Sequence, residues 1–341
     1  MPLIQFTEKG LYCAQGNFYL DPWYAVDNAL ITHAHSDHAR WGNKNYLCAT
    51  PSAPLLKARL GNISLQSVDY NQTIVINGVE VSFFPAGHVV GSSQIRLQFG
   101  GETWVFSGDY KTENDGISGA FEPVPCNVFI TESTFGLPIY KWQPQNLVYS
   151  TMQRWAQANH AQGITSVFFA YSLGKAQRVI DAVAPTGIPI YVHGSVWQMQ
   201  EAVALAGIPQ PTVHKWTADT SKHQTKGCIV VAPASTDNST WLNKFSPYVT
   251  AACSGWMQVR GNKRRNNFDT GFVLSDHADW DGLLTAIKAT NAEKVFVTHG
   301  FQKVLSRYLN EMGIEAAEVK TNYGSENEET ETEPATTDTV L

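Results

Sequence analysis

Within six positions the chain carries three histidines and an aspartate: His33, His35, Asp37 and His38, in the run HAHSDH. Residues two apart at the end of a strand point the same way, so His33 and His35 can grip one ion. Asp37 and His38 come one turn later and can reach a second ion on the other side. A lone histidine is usually a packed or solvated side chain, but this many polar groups buried together need a partner. A metal is that partner. Further candidates follow: His88 in PAGHVVGS, Asp109 in FSGDY and His299 in VTHG, each after an apolar run and beside a glycine that allows a sharp turn. Singly they read as a capped turn or satisfied histidines; with HAHSDH they give enough ligands for two ions with open positions. Asp109 is the natural bridge, since a carboxylate can offer one oxygen to each ion. Imidazole and carboxylate ligands without thiolate suit zinc, with manganese as the alternative.

The elements that must position these residues can be read in outline. ALITHAHSDH (29–38) is an apolar strand breaking into ligand-type residues, and TWVFSGD (103–109) and NVFITES (127–133) are buried strands ending in small or charged residues. Asn77-Gly78 between Ile74–Ile76 and Val79–Phe84 predicts a type I′ hairpin. From about residue 145 the pattern changes. SVFFAYSLGKAQRVIDAVA (166–184) and PIYVHGSVWQMQEAVALAG (189–207) each give strand, glycine-containing turn and amphipathic helix, and 227–235 and 247–255 add further strands. Such alternation predicts parallel α/β structure. FVLSDHADWDGLLTAIKA and KVFVTHGFQKVLSRYLNEMG again run strand, polar turn, helix.

The composition bounds the function. The chain has 341 residues, 43% of them hydrophobic and 16% charged, which suits about two globular domains. Mean hydropathy is -0.20 and no stretch approaches the ~18 apolar residues of a membrane span, which excludes an integral membrane protein. MPLIQFTEKG lacks the marks of a signal peptide. The five scattered cysteines form neither a CxxC pair nor a disulfide framework and fit a reducing cytoplasm. Net charge is -6, yet residues 141–265 hold 12 Lys and Arg against 4 Asp and Glu. Such a segment is either a polyanion surface or a solvated face. Its densest run is Arg260, Lys263, Arg264 and Arg265, with Trp256 just ahead as a core residue or a base-stacking platform. In YSLGKAQR, Ser172, Gly174 and Lys175 stand at a helix start, as a phosphate site or a plain turn. GxxxxGK[ST] is absent, which disfavours nucleotide hydrolysis. The acidic tail from residue 324 lacks apolar periodicity and reads as disordered.

HxHxDH followed by a distant His, a later Asp and a final His resembles the metallo-β-lactamase superfamily, and the whole chain bar the tail resembles its β-CASP nuclease branch. The stretches FYLDPWYAVDNALITHAHSDHARWG, YSLGKAQR, SGWMQVRGNKRR and GFVLSDHADW are similar to the bacterial ligase-associated DNA exonuclease family. The resemblance implies an αββα sandwich from residues 1–144 and 267–323, an inserted α/β β-CASP domain over 145–266, and a tail over 324–341. It implies a two-metal DNA exonuclease of DNA repair, functionally associated with a DNA ligase and a helicase. Asp21 would support the metal loop, and Glu132 would hold the imidazole of His277 at the scissile phosphate. Ser172, Lys175, Ser275 and the four cations at 260–265 would contact substrate. His299 leans the other way, because RNA-cleaving members carry histidine at that motif. An RNA-processing ribonuclease is therefore the alternative, ahead of a thioester or lactone hydrolase of the same fold.

Overall fold

The computed structural model describes residues 2–259 and 268–320. The first sheet takes its strands in chain order: β1 (Gln5–Thr7), β2 (Gly10–Cys13), β3 (Phe18–Leu20), β4 (Asn28–Ile31), β5 (Asn45–Ala49) and β6 (Leu65–Val68). Its first two pairings are antiparallel and those from β3 to β6 parallel. A second sheet begins with β7 (Thr73–Ile76), β8 (Val79–Pro85), β9 (Ser93–Phe99), β10 (Glu102–Phe106) and β11 (Val128–Ser133). β7 and β8 form the expected hairpin, with Asn77 at φ 49° and Gly78 at φ 84°.

The chain then builds a third sheet from β12 (Thr165–Phe169), β13 (Ile190–Val192), β14 (Ile229–Ala232), β15 (Tyr248–Cys253) and β16 (Thr270–Phe272). Their order is β13-β14-β12-β15-β16, all parallel. Parallel strands buried on both faces read as continuous apolar runs. IVVA does so because every residue in it is buried, and TSVFF, also buried throughout, does so after Thr165 and Ser166. β16, expected in the part of the chain returning to the first unit, pairs with β15 instead. β17 (Lys294–Gly300) and β18 (Glu315–Glu318) finish the second sheet, β17 lying parallel between β11 and β18.

The packing gives four layers. Leu11, Leu20 and Leu30 of the first sheet meet Val81, Ile95 and Phe106 of the second in one buried cluster. Each such side chain contributes about 1.5–3 kcal/mol on full burial. Outside the first sheet, Leu55, Leu56 and Leu60 of the helix Ala53–Leu60 cover Ile31 and Cys48. Outside the second, Leu283 and Ile287 of the helix Trp280–Ala289, with Leu305 and Leu309 of the helix Gln302–Glu311, cover Phe129 and Val297. On the third sheet, Met152 of the helix Gln145–Ala161 and Ile180 of the helix Lys175–Val183 pack on Phe168 and Val231. The helix Gly194–Leu205 reaches both ways: Val196 joins that cluster, while Met199 and Val203 pack beside Leu55 and Leu56. The mixed α/β architecture agrees with the sequence reading. Among the described residues no helix is long and apolar enough to cross a membrane.

Candidate active site

The apolar residues of β4 run into the core, and the chain leaves them at Thr32 with His33 fully buried. His33 Nε2 lies 3.1 Å from His35 Nδ1, and His88 Nε2, from the loop after β8, lies 3.1 Å from the same nitrogen. Asp109, from the loop after β10, joins them, and the four ligand atoms all fall within 4.8 Å of one another. Gly108 permits the approach: at φ +54° its Cβ would stand 2.7 Å from Thr32 Cβ.

Asp37 and His38 form the other half. His38 Nε2 is 3.4 Å from Asp37 Oδ2 and 3.3 Å from Asp109 Oδ2. The same Asp109 oxygen stands 3.6 Å from His33 Nε2 and 3.9 Å from His88 Nε2. It thus faces both halves of the cluster.

Hydrogen bonds on the far side of each ring decide which nitrogen faces inward. His35 Nε2–H donates to the Leu173 carbonyl at 3.2 Å, and His88 Nδ1–H to the Asp276 carbonyl at 2.9 Å. His38 Nδ1–H donates to Asp21 Oδ2 at 2.7 Å, and His33 Nδ1–H to Thr32 Oγ1, whose own proton goes to Asp21. These assignments, inferred from the network, aim Nε2 of His33, His38 and His88 and Nδ1 of His35 at one small space. Burial, followed by the neighbouring imidazoles, holds His33 and His88 well below the usual histidine range. Burial also lowers His35. Burial opposes charge on His38 too, but Asp37, Asp109 and Asp21 outweigh it and raise its affinity for a proton well above normal. Asp37 Oδ1 is buried without a hydrogen-bond partner among the described residues. Converging lone pairs, an orphaned carboxylate oxygen and a field that draws a positive charge fit divalent cations.

Glu132, at the end of β11, accepts from His277 Nδ1–H at 2.9 Å on each oxygen. Its oxygens also accept from the Tyr110 and Thr134 amides, which fixes the carboxylate. The His277 ring lies 4.5 Å, centroid to centroid, from that of His88, so this pair borders the cluster. Asp109, Glu132 and His277 also offer ligand atoms within 4.8 Å of one another. His299, one residue before the end of β17, is buried at φ 51° but is not among the residues of either convergent group.

The expected substrate contacts are placed differently. Ser275 Oγ accepts from the His277 amide at 3.1 Å, beside the site. Ser172 Oγ donates to Ser195 Oγ at 2.8 Å. Lys175 opens its helix but is only 1% exposed, 3.8 Å from Asp276 Oδ2 and over the Tyr171 ring. Half-buried Trp256 packs on Phe135 with ring centroids 4.7 Å apart. Arg260, Lys263, Arg264, Arg265 and the acidic tail lie outside the described residues. Sequence reasoning missed Arg178 and Asp276, paired at 2.9 Å with both residues buried. Both stand inside motifs quoted for other reasons, and two opposite charges flanking candidate site residues were the available signal.

No family model matches the chain. A protein of Opitutus terrae described as "Probable DNA ligase" is 29% identical over 319 residues, covering 93% of this chain and 31% of that protein. Endoribonuclease YSH1 of Saccharomyces cerevisiae is 31% identical over 124 residues, covering 34% of this chain and 15% of that protein. The chain thus spans less than a third of the length of either relative. A crystal structure of a protein of unknown function from Enterococcus faecalis V583 superposes with a TM-score of 0.59 at 11% identity, covering 87% of this chain and 80% of the other.

Proposed function

We propose that this chain, whose relatives bear out the likeness to β-CASP nucleases of the metallo-β-lactamase superfamily, is a two-metal phosphodiesterase acting on nucleic acid. The four layers are its metallo-β-lactamase sandwich, and the third-sheet unit, 145–266 with β16 at its edge, is the inserted domain. The observation that carries the reading is the Glu132–His277 pair set against the cluster of His33, His35, His88 and Asp109. A buried carboxylate that fixes the tautomer of an imidazole beside a metal-ligand cluster is the arrangement that positions a catalytic histidine.

His33, His35, His88 and Asp109 would hold one ion, and Asp37, His38, Asp109 and His299 the other. Two divalent ions, zinc or manganese, would neutralise phosphate oxygens and acidify water toward neutrality. Glu132 holds His277 Nδ1–H, so Nε2 is the atom that contacts the scissile phosphate or protonates the leaving oxygen. Asp37 orients the attacking water, and Asp21 fixes His38 and Thr32. Ser172, Lys175, Ser275 and the run 260–265 serve the substrate, with the buried Lys175 acting through Asp276 rather than as an open contact.

The favoured substrate is DNA, cut exonucleolytically in repair, alongside a DNA ligase and a helicase; the relative described as a probable DNA ligase supports this. Five cysteines without disulfides fit a cytoplasmic setting. Similarity to an endoribonuclease, together with His299, favours RNA as the second reading. Matched single- and double-stranded DNA and RNA, each with zinc and with manganese, separate the two. Degradation of RNA alone would overturn the DNA assignment, and no cleavage of any of them would overturn the nuclease.

A further inference from the structure

Two imidazoles of the cluster are steered by a part of the fold that does not carry them. His35 and His88 belong to the first two sheets, yet both donate outward to carbonyls of the third-sheet unit and its exit, Leu173 and Asp276. His33 and His38 are steered from the first sheet, through Thr32 and Asp21. The cluster therefore has two independent sets of supports.

The carbonyls of Leu173 and Asp276 lie on segments that Arg178 joins. Leu173 sits in the turn before the helix Lys175–Val183, whose start is closed by Gln177. That side chain accepts from the Gly174 amide at 2.7 Å and donates to the Ser172 carbonyl at 3.1 Å. One residue on, the buried Arg178 donates through Nη1 to the Ser275 carbonyl and, at 2.9 Å, to Asp276 Oδ1. Its Nη2 donates to Gln145 Oε1 at 2.8 Å, and its Nε stands 3.6 Å from Asp115 Oδ2. Lys175 Nζ approaches the other Asp276 oxygen at 3.8 Å. A planar fork hydrogen-bonded to three partners, with the Asp115 carboxylate as a further charge contact, locks the helix to residues 275–276 in one geometry, which an ammonium could not do.

We infer that Arg178 is a positioning residue of the metal centre: with Asp276 it holds the two carbonyls that fix the ring orientation of His35 and His88, so the third-sheet unit selectively sets the affinity of one of the two ions. The inference rests on the two-metal reading above. It recasts YSLGKAQR as the strut of a metal position rather than a phosphate cradle. Removing a partner that orients a ligating histidine weakens metal binding by roughly 10–100-fold.

The test titrates zinc into the metal-stripped full chain against a chromophoric chelator, with circular dichroism and thermal midpoints as fold controls. The wild type should take up two ions. Arg178→Met should weaken one of them by about 10–100-fold and leave the other within about twofold. Arg178→Lys should fall between, since it keeps the charge and loses the fork. Asp21→Asn should weaken the His38 position most and, through Thr32 and His33, the first position as well, so the loss confined to one ion should be specific to Arg178→Met. Should Arg178→Met fail to fold, the isosteric Asp276→Asn is read in its place, with the same selective loss expected. Equal weakening of both ions, or none, in folded Arg178→Met or Asp276→Asn overturns the inference. A wild type that takes up fewer than two ions overturns the two-metal reading instead.

Discussion

Glu132 and His277 meet across 145 positions of chain, the carboxylate receiving the imidazole Nδ1–H at 2.9 Å on both oxygens. Two backbone amides hold the same carboxylate, so it cannot follow the ring if the ring turns. The pair is a fixed pointer. The other imidazole nitrogen, Nε2, belongs to a ring whose centroid lies 4.5 Å from that of His88.

Removing that pointer should cost rate and spare metal. His277→Ala should lower kcat on a nuclease substrate by roughly 10²–10⁴-fold, the range for a general acid. Zinc content, read by elemental analysis, should stay at the wild-type level. A near-normal rate across pH would show that His277 neither protonates nor clamps the phosphate.

Asp109 should be the most costly ligand to lose, because its Oδ2 faces His33, His88 and His38 together. Asp109→Ala should strip both ions, whereas Asp37→Ala should weaken only one and still abolish turnover. Retention of two ions by folded Asp109→Ala would remove its bridging role.

The Gly108 backbone should not tolerate a side chain. Gly108→Ala puts a Cβ 2.7 Å from Thr32 Cβ at a positive φ, and should destabilise by about 1–3 kcal/mol. Each kcal/mol lowers the melting midpoint of a chain of this size by about 1–2 °C. An unchanged midpoint would mean that the loop relaxes freely and does not set the Asp109 position.

Charge in the run at 260–265 should govern affinity. Replacing Lys263, Arg264 and Arg265 by glutamine should raise KM and flatten the salt dependence of binding, by about 0.7 in log–log slope per lost phosphate contact on a single strand. kcat at saturating substrate should change far less. Deleting residues 325–341, which carry six acidic side chains, should strengthen binding slightly if it acts at all. A triple variant with unchanged salt slope and KM would show that this run is not a substrate track.

What the sequence made legible follows from how locally each feature is encoded. HAHSDH is unmistakable because four ligand-type residues crowd six positions, and Gly108 advertises the turn at Asp109. The third sheet is legible because strands buried on both faces, such as IVVA, leave no polar alternation to confuse the pattern. The placement of β16 beside β15, and of β17 between β11 and β18, depends on which strand edges meet in the folded sheets, which no local pattern encodes. The supports of His35 and His88 were invisible for another reason. A backbone carbonyl has no residue identity, so Leu173 and Asp276 act through atoms that any residue would supply. A helix start suggests an exposed Lys175, whereas Asp276 and the Tyr171 ring hold it buried, contacts that the local sequence does not announce.

The support of His88 by Asp276 also has a consequence in time. The two residues are 188 positions apart, so during synthesis the His88 ring is made long before its orienting carbonyl exists. At about 5–20 residues per second the interval is roughly 10–40 s. Through that interval the His88 imidazole lacks the Asp276 carbonyl, while His35 waits only for Leu173, 138 positions along. Full-strength metal capture is a property of the finished chain, and the nascent protein passes through the cell's metal pool with its grip still open.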